Sequence, residues 1–429
     1  MKHQVLNTWR GGWAKPRRHA ERTGPRARKG FAQQWLGGWG LKSTSHLGDI
    51  MALRFRWLVG IAVATSVAAC ALATSPGSGS DDDDGQGIPD AGPPARWPDA
   101  GTPGLRPDAG DEPDDPDDPI IGGDPASCET IPAYAGGFEV IKCVPEGFES
   151  ETTTPVGLVI SLHGYTQSAA SLQETTEWAH LAGRYGFYVV FPHAAGDRAW
   201  FWYTFGRSRG QSDPAGLVAV VDRMKEEHNI DPDRVFVSGM SAGGYMAVNL
   251  LADYPDVFAG GSATSGGAHG CSALCASSPS GGTAAAVIAE YPEWWNDASA
   301  RKPRLMLLHG DLDEVNLPGN STQLVQQWTA VHGADTTPDN AALGLPATLN
   351  GYPYEVYAAP SGDVAVAHVH MTDLGHGTPV NPGEATDQGG FDPMPSKTAD
   401  SCAFCAQDWT NTGSIYGPYY EAAFFGLVP

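Results

Sequence analysis

The sequence predicts an α/β fold, a mainly parallel sheet with helices on both faces, for residues 123–429. Three observations carry this prediction. Short apolar runs of strand type recur at Gly157–Leu162, Phe187–Phe191, Val235–Val237 and Arg304–Leu308. Segments with helical apolar spacing separate them, and strands alternating with helices imply parallel pairing. The third is a glycine-flanked junction, Gly239–Gly243, between a strand pattern and a helix pattern.

In chain order, Ser171–Tyr185 reads as a helix, with Leu172, Trp178, Ala179, Ala182 and Tyr185 at helical spacing. Phe187–Phe191 is a buried strand stopped by Pro192, and Pro214–His228 is a helix that turns Leu217, Val220, Val221 and Met224 inward. Phe258–Ala263 is a strand of small residues, Gln323–His332 a helix and Val364–Met371 an alternating last strand. Gly267–Asn296, rich in serine and glycine, is expected to cap or edge a cleft. At roughly 300 residues this is one large domain.

The junction reads Gly-x-Ser-x-Gly, with Ser241 between Gly239 and Gly243. Strand, Gly-x-Ser-x-Gly and helix in that order form the nucleophile elbow of an α/β-hydrolase fold. A serine there sits on a strained turn, its hydroxyl exposed and the helix N-terminus aimed at a reacting carbonyl. The other members of such a set follow in the order Ser, Asp or Glu, His. Asp311 and Asp313 both lie just past the Arg304–Leu308 strand, and spacing does not choose between them. His376 stands between Gly375 and Gly377 in the loop after the last strand, with backbone freedom to reach back over the sheet. His368 and His370 alternate on a strand, where packing or surface roles are commoner; His309 and His163 precede glycines at strand ends and read as structural. No pair of these histidines has a persuasive ligand spacing with a nearby carboxylate, so no metal and no cofactor is expected. Two backbone donors are needed for an oxyanion: the Ala242 N–H, and the Tyr165 N–H in the loop His163–Gln167. Trp200, Trp202 and Trp294 are candidates to stack on or lie along a substrate, although tryptophan is equally a packing residue.

From about Cys128 onward the chain resembles the extracellular poly(3-hydroxybutyrate) depolymerase group, which is related to the feruloyl and acetylxylan esterases. The resemblance is carried by "LHGYTQSAASL", "DPDRVFVSGMSAGGYMAVNLLADYPDVFAGGSATSGG", "LHGDLDEVNLPGNSTQLVQQWTAVHG" and "DLGHGTPVNPG". It implies a serine esterase working through an acyl-enzyme, with a triad on Ser241, Asp313 and His376. It also selects Asp313 over Asp311. A "CW" motif of the group matches Arg198–Tyr203, but the cysteine is missing here. A feruloyl or acetylxylan esterase acting on plant cell-wall polysaccharide is the alternative. A non-catalytic surface-binding protein on the same fold is a third reading, disfavoured because no triad member is lost. No polyester-binding domain follows the esterase domain, so soluble oligomers are expected to be better substrates than solid polymer.

The chain before the domain reads differently. Residues 1–50 are basic and lack apolar periodicity, and Met51 is the better start. Arg54 and Arg56 precede an apolar run from Trp57 to Ala69, the pattern of a signal peptide over 51–73. Val67–Cys70 resembles a lipobox with Cys70 lipidated; Ala71–Ala73 would instead suit cleavage to a soluble form. Residues 74–122, with an aspartate run and Pro-Asp-Ala-Gly units starting at Pro89, Pro98 and Pro107, have little to bury and form an extended tether. Secretion or lipid anchoring at the bacterial cell envelope follows as the expectation.

Apart from Cys70, the cysteines are Cys128, Cys143, Cys271, Cys275, Cys402 and Cys405. Sequence-local disulfides, 128–143, 271–275 and 402–405, are the simplest pairing, and export favours disulfides over zinc. The formal net charge of −23 argues against nucleic acid and anionic surfaces as partners. A polymeric or oligomeric ester remains, with membrane contact only through an N-terminal lipid.

Overall fold

A ten-stranded sheet organises the molecule. The computed structural model describes residues 125–148, 154–194, 200–203, 208–280, 282–380, 410–411 and 415–428. The extension 1–50, the signal segment 51–73 with Cys70, the tether 74–122, and Cys402 and Cys405 lie outside the described residues.

The strands are β1 (Ser127–Ala135), β2 (Phe138–Val144), β3 (Val156–Leu162), β4 (Tyr188–His193), β5 (Ile230–Met240), β6 (Gly260–Thr264), β7 (Arg304–Gly310), β8 (Thr348–Leu349), β9 (Tyr352–Ala358) and β10 (Val364–Met371). They lie in the order β1-β2-β4-β3-β5-β6-β7-β10-β9-β8. The block from β4 to β10 is parallel throughout. Antiparallel strands flank it on both sides: β2 and β1 on one, β9 and β8 on the other. These flanking strands lack long apolar runs, and no continuous apolar pattern in the sequence marks them.

Helices cover both faces: α1 (Ala169–Thr176), α2 (Trp178–Tyr185), α3 (Ser212–Glu227), α4 (Ala242–Asp253), α5 (Ala284–Glu290), α6 (Pro292–Trp295), α7 (Gly319–His332), α8 (Asn340–Leu343) and α9 (Gly417–Phe424). Strand alternation divides the core accordingly. Leu158, Ile160, Val235, Val237, Leu305 and Leu307 pack with residues of α3, α4 and α7, such as Val220, Met246 and Trp328. Val159, Phe236, Met306 and Leu308 pack with residues of α1, α2 and α9, such as Leu172, Trp178 and Phe424. Strands covered on both faces read as continuous apolar runs, which is why the central strands are visible in the sequence.

The helix expected over Ser171–Tyr185 is two helices. The chain breaks at Glu177, whose φ is 53°. Thr175 and Thr176 turn their hydroxyls onto the carbonyls of Ser171 (2.8 Å) and Leu172 (2.6 Å), and the Tyr416 hydroxyl takes the Thr176 carbonyl (2.7 Å). Back-bonding by β-branched hydroxyl residues and a carbonyl claimed from outside both disfavour helix continuation. Two disulfides join the sequence-local pairs: Cys128–Cys143, register partners across the β1–β2 hairpin, and Cys271–Cys275.

One buried carboxylate ties the C-terminal helix to the centre of the sheet. Glu421 of α9 accepts hydrogen bonds from Ser238 (2.5 Å) on β5 and from Ser262 (2.7 Å) and Thr264 (3.3 Å) on β6. Burial raises its pKa above the ordinary value, and the three hydroxyls only partly offset that. An acid with a raised folded pKa loses native stability as pH climbs from about 4.5 toward the folded value. Glu421→Gln keeps an acceptor without the charge, so its melting temperature relative to wild type should rise between pH 5 and pH 8 in a scanning fluorimetry series. Glu421→Ala strands the hydroxyls and should cost roughly 3 kcal/mol in a denaturant titration.

Candidate active site

The site lies at the C-terminal end of the parallel strands, where β5 turns into α4. Ser241 occupies the turn with φ 54° and ψ −117°, a conformation side chains rarely adopt. The turn closes only because its flanks have no side chains. A Cβ on Gly239 would strike the Gly243 carbonyl, and one on Gly243 would strike the Leu162 carbonyl. Ser241 is held by its N–H, which donates to the Thr264 carbonyl (2.9 Å). Ala242 opens α4, so its N–H belongs to the helix end that lacks intrahelical acceptors.

The loop after β3 backs onto this turn. A Cβ on Gly164 would lie 2.9 Å from Met240 Sδ and 3.3 Å from Ser241 Cβ. The Gly164 N–H donates to Gln167 Oε1 (2.6 Å), which excludes it as the second oxyanion donor and leaves the half-buried Tyr165 as the candidate. His163 is packed: Trp200 Nε1 donates to its carbonyl (2.7 Å), and the Ala194 N–H approaches its Nε2 (3.1 Å).

At the end of β7, Asp313 is buried and fully engaged. Its Oδ1 accepts from the backbone N–H of Val315 (2.9 Å) and Asn316 (2.7 Å). Its Oδ2 faces His376 Nδ1 (2.8 Å) and His309 Nε2 (3.3 Å). Burial alone would raise the carboxyl pKa, but the hydrogen bonds and charge of the two histidines overcome it and hold the group well below the usual carboxylate range. Asp311, the competing acid, is exposed and caps the Asp373 N–H instead (2.7 Å). His309 Nε2 also lies 2.7 Å from the Asn316 carbonyl, so it is an N–H donor shared between that carbonyl and Asp313. It was expected to be purely structural, and its contact with the acid was not visible in the sequence.

Hydrogen bonds to backbone carbonyls link the three loops. Asn316 Nδ2 donates to the Ser265 carbonyl (2.5 Å), one residue past the carbonyl that receives Ser241. The Leu312 N–H donates to the Leu374 carbonyl (3.0 Å), two residues before His376. The structure thus joins Asp313 directly to His376 and ties both loops to the turn that carries Ser241. An imidazole fixed at Nδ1 by a carboxylate keeps Nε2 available to accept a proton. Among the described residues, no group able to hold a metal includes Ser241, Asp313 or His376.

The tryptophans are placed otherwise than expected. Trp200 has no exposed surface and its indole is spent on His163, so it offers nothing to a substrate. Trp202 is 9% exposed and stacks on Tyr245 (centroids 3.9 Å apart). Trp294 donates to the Arg301 carbonyl (2.8 Å), and Arg301 pairs with Asp233 early in β5, at the opposite end of the sheet from Ser241. Missed by the sequence reading are Leu274, Leu312 and Leu317, the exposed large apolar side chains among the described residues. Leu312 adjoins Asp313, and the Leu317 N–H donates to the Ala276 carbonyl (2.8 Å) of the turn that carries Leu274.

The chain is similar to several known proteins. Residues 144–342 match the family described as Esterase PHB depolymerase. A poly(3-hydroxyalkanoate) depolymerase C from Paucimonas lemoignei is 32% identical over 311 residues, 68% of this chain and 68% of that protein. Feruloyl esterase B from Neurospora crassa is 30% identical over 252 residues, covering 53% of this chain and 80% of that protein. An acetyl xylan esterase structure from Aspergillus awamori aligns with a TM-score of 0.49 at 22% identity, over 58% of this chain and 94% of that one. A depolymerase relative at this identity and coverage, together with the family match over the strands and loops that frame Ser241 and Asp313, makes this chain a member of the PHB depolymerase family of carboxylic ester hydrolases.

Proposed function

We propose that the protein is an exported serine esterase that cleaves aliphatic polyesters of the poly(3-hydroxyalkanoate) class, or their short oligomers, through an acyl-enzyme on Ser241. The observation that carries the mechanism is the buried Asp313–His376 bond, with the Asp313 loop tied by Asn316 to Ser265, next to the Thr264 carbonyl that holds the Ser241 N–H. In this mechanism Ser241 Oγ attacks the ester carbonyl carbon while His376 Nε2 takes its proton. The carbonyl oxygen becomes an oxyanion facing the N–H groups of Ala242 and Tyr165, each donor worth about 3 kcal/mol. As the C–O bond breaks, His376 returns the proton to the leaving alcohol. A water molecule, deprotonated by the same imidazole, then releases the acid. Asp313 holds the tautomer and stabilises the imidazolium.

The rim supports the substrate class. Leu274, Leu312 and Leu317 present aliphatic surface beside the acid loop. Trp200 and Trp202, the aromatic candidates near the turn, are buried and offer little for stacking on sugar or ferulate rings. Apolar rim residues suit a chain of methyl-bearing esters better than a hydroxylated glycan. The likeness to a feruloyl esterase over 80% of that protein's length supports cell-wall ester hydrolysis as the second reading. The two disulfides support export, with Cys70 as the lipid attachment point in the anchored form.

Release of 3-hydroxybutyrate from soluble oligomers, measured beside ferulate and acetate release from esterified xylan fragments, separates the readings. Hydroxybutyrate release is expected; exclusive release of ferulate or acetate would overturn the polyester assignment. Ser241→Ala should lower kcat by about 10⁴-fold or more, and Asp313→Asn by about 10⁴-fold. Leu312→Asp should slow hydrolysis of polymer particles while leaving oligomer kcat within about twofold.

Because Asp313 has a lowered folded pKa, its stabilising contribution is complete above the unfolded value, about 3.9, and is lost as pH falls through the folded one. The melting-temperature gap between wild type and Asp313→Asn should therefore shrink as pH falls below about 4.

A further inference from the structure

Away from the triad, the last two long strands bring together a cluster that sequence spacing does not reveal. His368 and His370 are two residues apart on β10 and share one face of the sheet. Glu355, on β9, is the register partner of His368. Its Oε2 lies 2.9 Å from His370 Nε2 and 4.0 Å from His368 Nδ1. The two imidazole centroids are 3.8 Å apart. One ligand atom from each of the three residues lies within 4.8 Å of the others. Ligand atoms on a tetrahedral ion with bonds of about 2.1 Å stand about 3.4 Å from one another, so small side-chain shifts suffice to converge them.

His368 is not satisfied as a packing histidine would be. It is buried, and among the described residues its Nε2 has no hydrogen-bond partner. Its Nδ1 is beyond hydrogen-bond reach of Glu355. The Tyr357 hydroxyl donates to the same Glu355 Oε2 (2.7 Å). An outer hydrogen bond of this kind fixes a ligating group. The side chains of His370 and Glu355 are 40% and 37% exposed, so an ion has a path in from solvent.

We propose that Glu355, His368 and His370 form a binding site for one divalent transition-metal ion of the Zn²⁺ class, distinct from the Ser241–Asp313–His376 site. Two imidazoles and one carboxylate suit Zn²⁺, Co²⁺, Ni²⁺ or Cu²⁺ rather than Ca²⁺ or Mg²⁺, which take oxygen ligands. Water fills the remaining positions. Bound there, the ion clamps β9 to β10 near the edge of the sheet. Another group, Asp253, His269 and Glu290, also has ligand-like spacing, and Glu290→Gln serves as its control in the test.

The test uses the full chain without an affinity histidine tag, stripped with a chelator and then titrated with Co²⁺ and, in competition, Zn²⁺. One equivalent of Co²⁺ should bind with visible ligand-field bands, Zn²⁺ should displace it, and saturating Zn²⁺ should raise the melting temperature. His370→Ala and Glu355→Gln, both at partly exposed positions, should each weaken binding at least about tenfold and abolish the thermal shift. Tyr357→Phe should weaken it up to about tenfold. The proposal is overturned if neither ion binds the wild type, if binding is unchanged in both variants, or if it is lost only in Glu290→Gln.

Discussion

The site depends on one buried carboxylate. Asp313 is removed from water, and burial by itself would favour its neutral form. Two backbone N–H groups and two histidines reverse that preference and keep it charged. A charge held in this way stays in one place. Each of its oxygens is spoken for, so its remaining direction is toward His376. The same loop is anchored by Asn316 to the segment after β6, and by Leu312 to the segment after β10. The loops that carry Asp313, His376 and Ser241 are therefore linked through hydrogen bonds to backbone carbonyls.

Beneath that layer, the centre of the sheet carries a second buried carboxylate with the opposite tendency. Glu421 accepts from hydroxyls on β5 and β6 within a few residues of Ser241 and its anchor Thr264. Asp313 receives ring and backbone N–H donors and is driven toward the charged form; Glu421 receives only hydroxyls and is driven toward the neutral one. Hydroxyls can reverse and accept, so Glu421 remains bonded when protonated. It joins helix α9 to the central strands of the sheet.

The tryptophans that suggested a stacking platform are spent on packing, while Leu274, in a turn after β6, and Leu312 and Leu317, after β7, stay exposed. Exposed large apolar side chains are otherwise absent from the described residues.

What the sequence determined by itself is whatever a short stretch of backbone dictates. A strand, two glycines around Ser241 and a helix specify the turn, since any Cβ on Gly239 or Gly243 would meet a carbonyl. The central strands announce themselves as apolar runs because both their faces are covered, and the family is legible in the segments around these elements. Tertiary structure decided what depends on strands distant in sequence. It buried Asp313 against His376 and left Asp311 exposed, and it brought His309 onto Asp313. It withdrew the tryptophans, split the helix at Glu177, and set Glu355 opposite His368. The physical reason is the same in each case: local pattern records which face of an element is apolar, whereas the partner of a buried polar group is fixed only when another element's register brings it within about 3 Å.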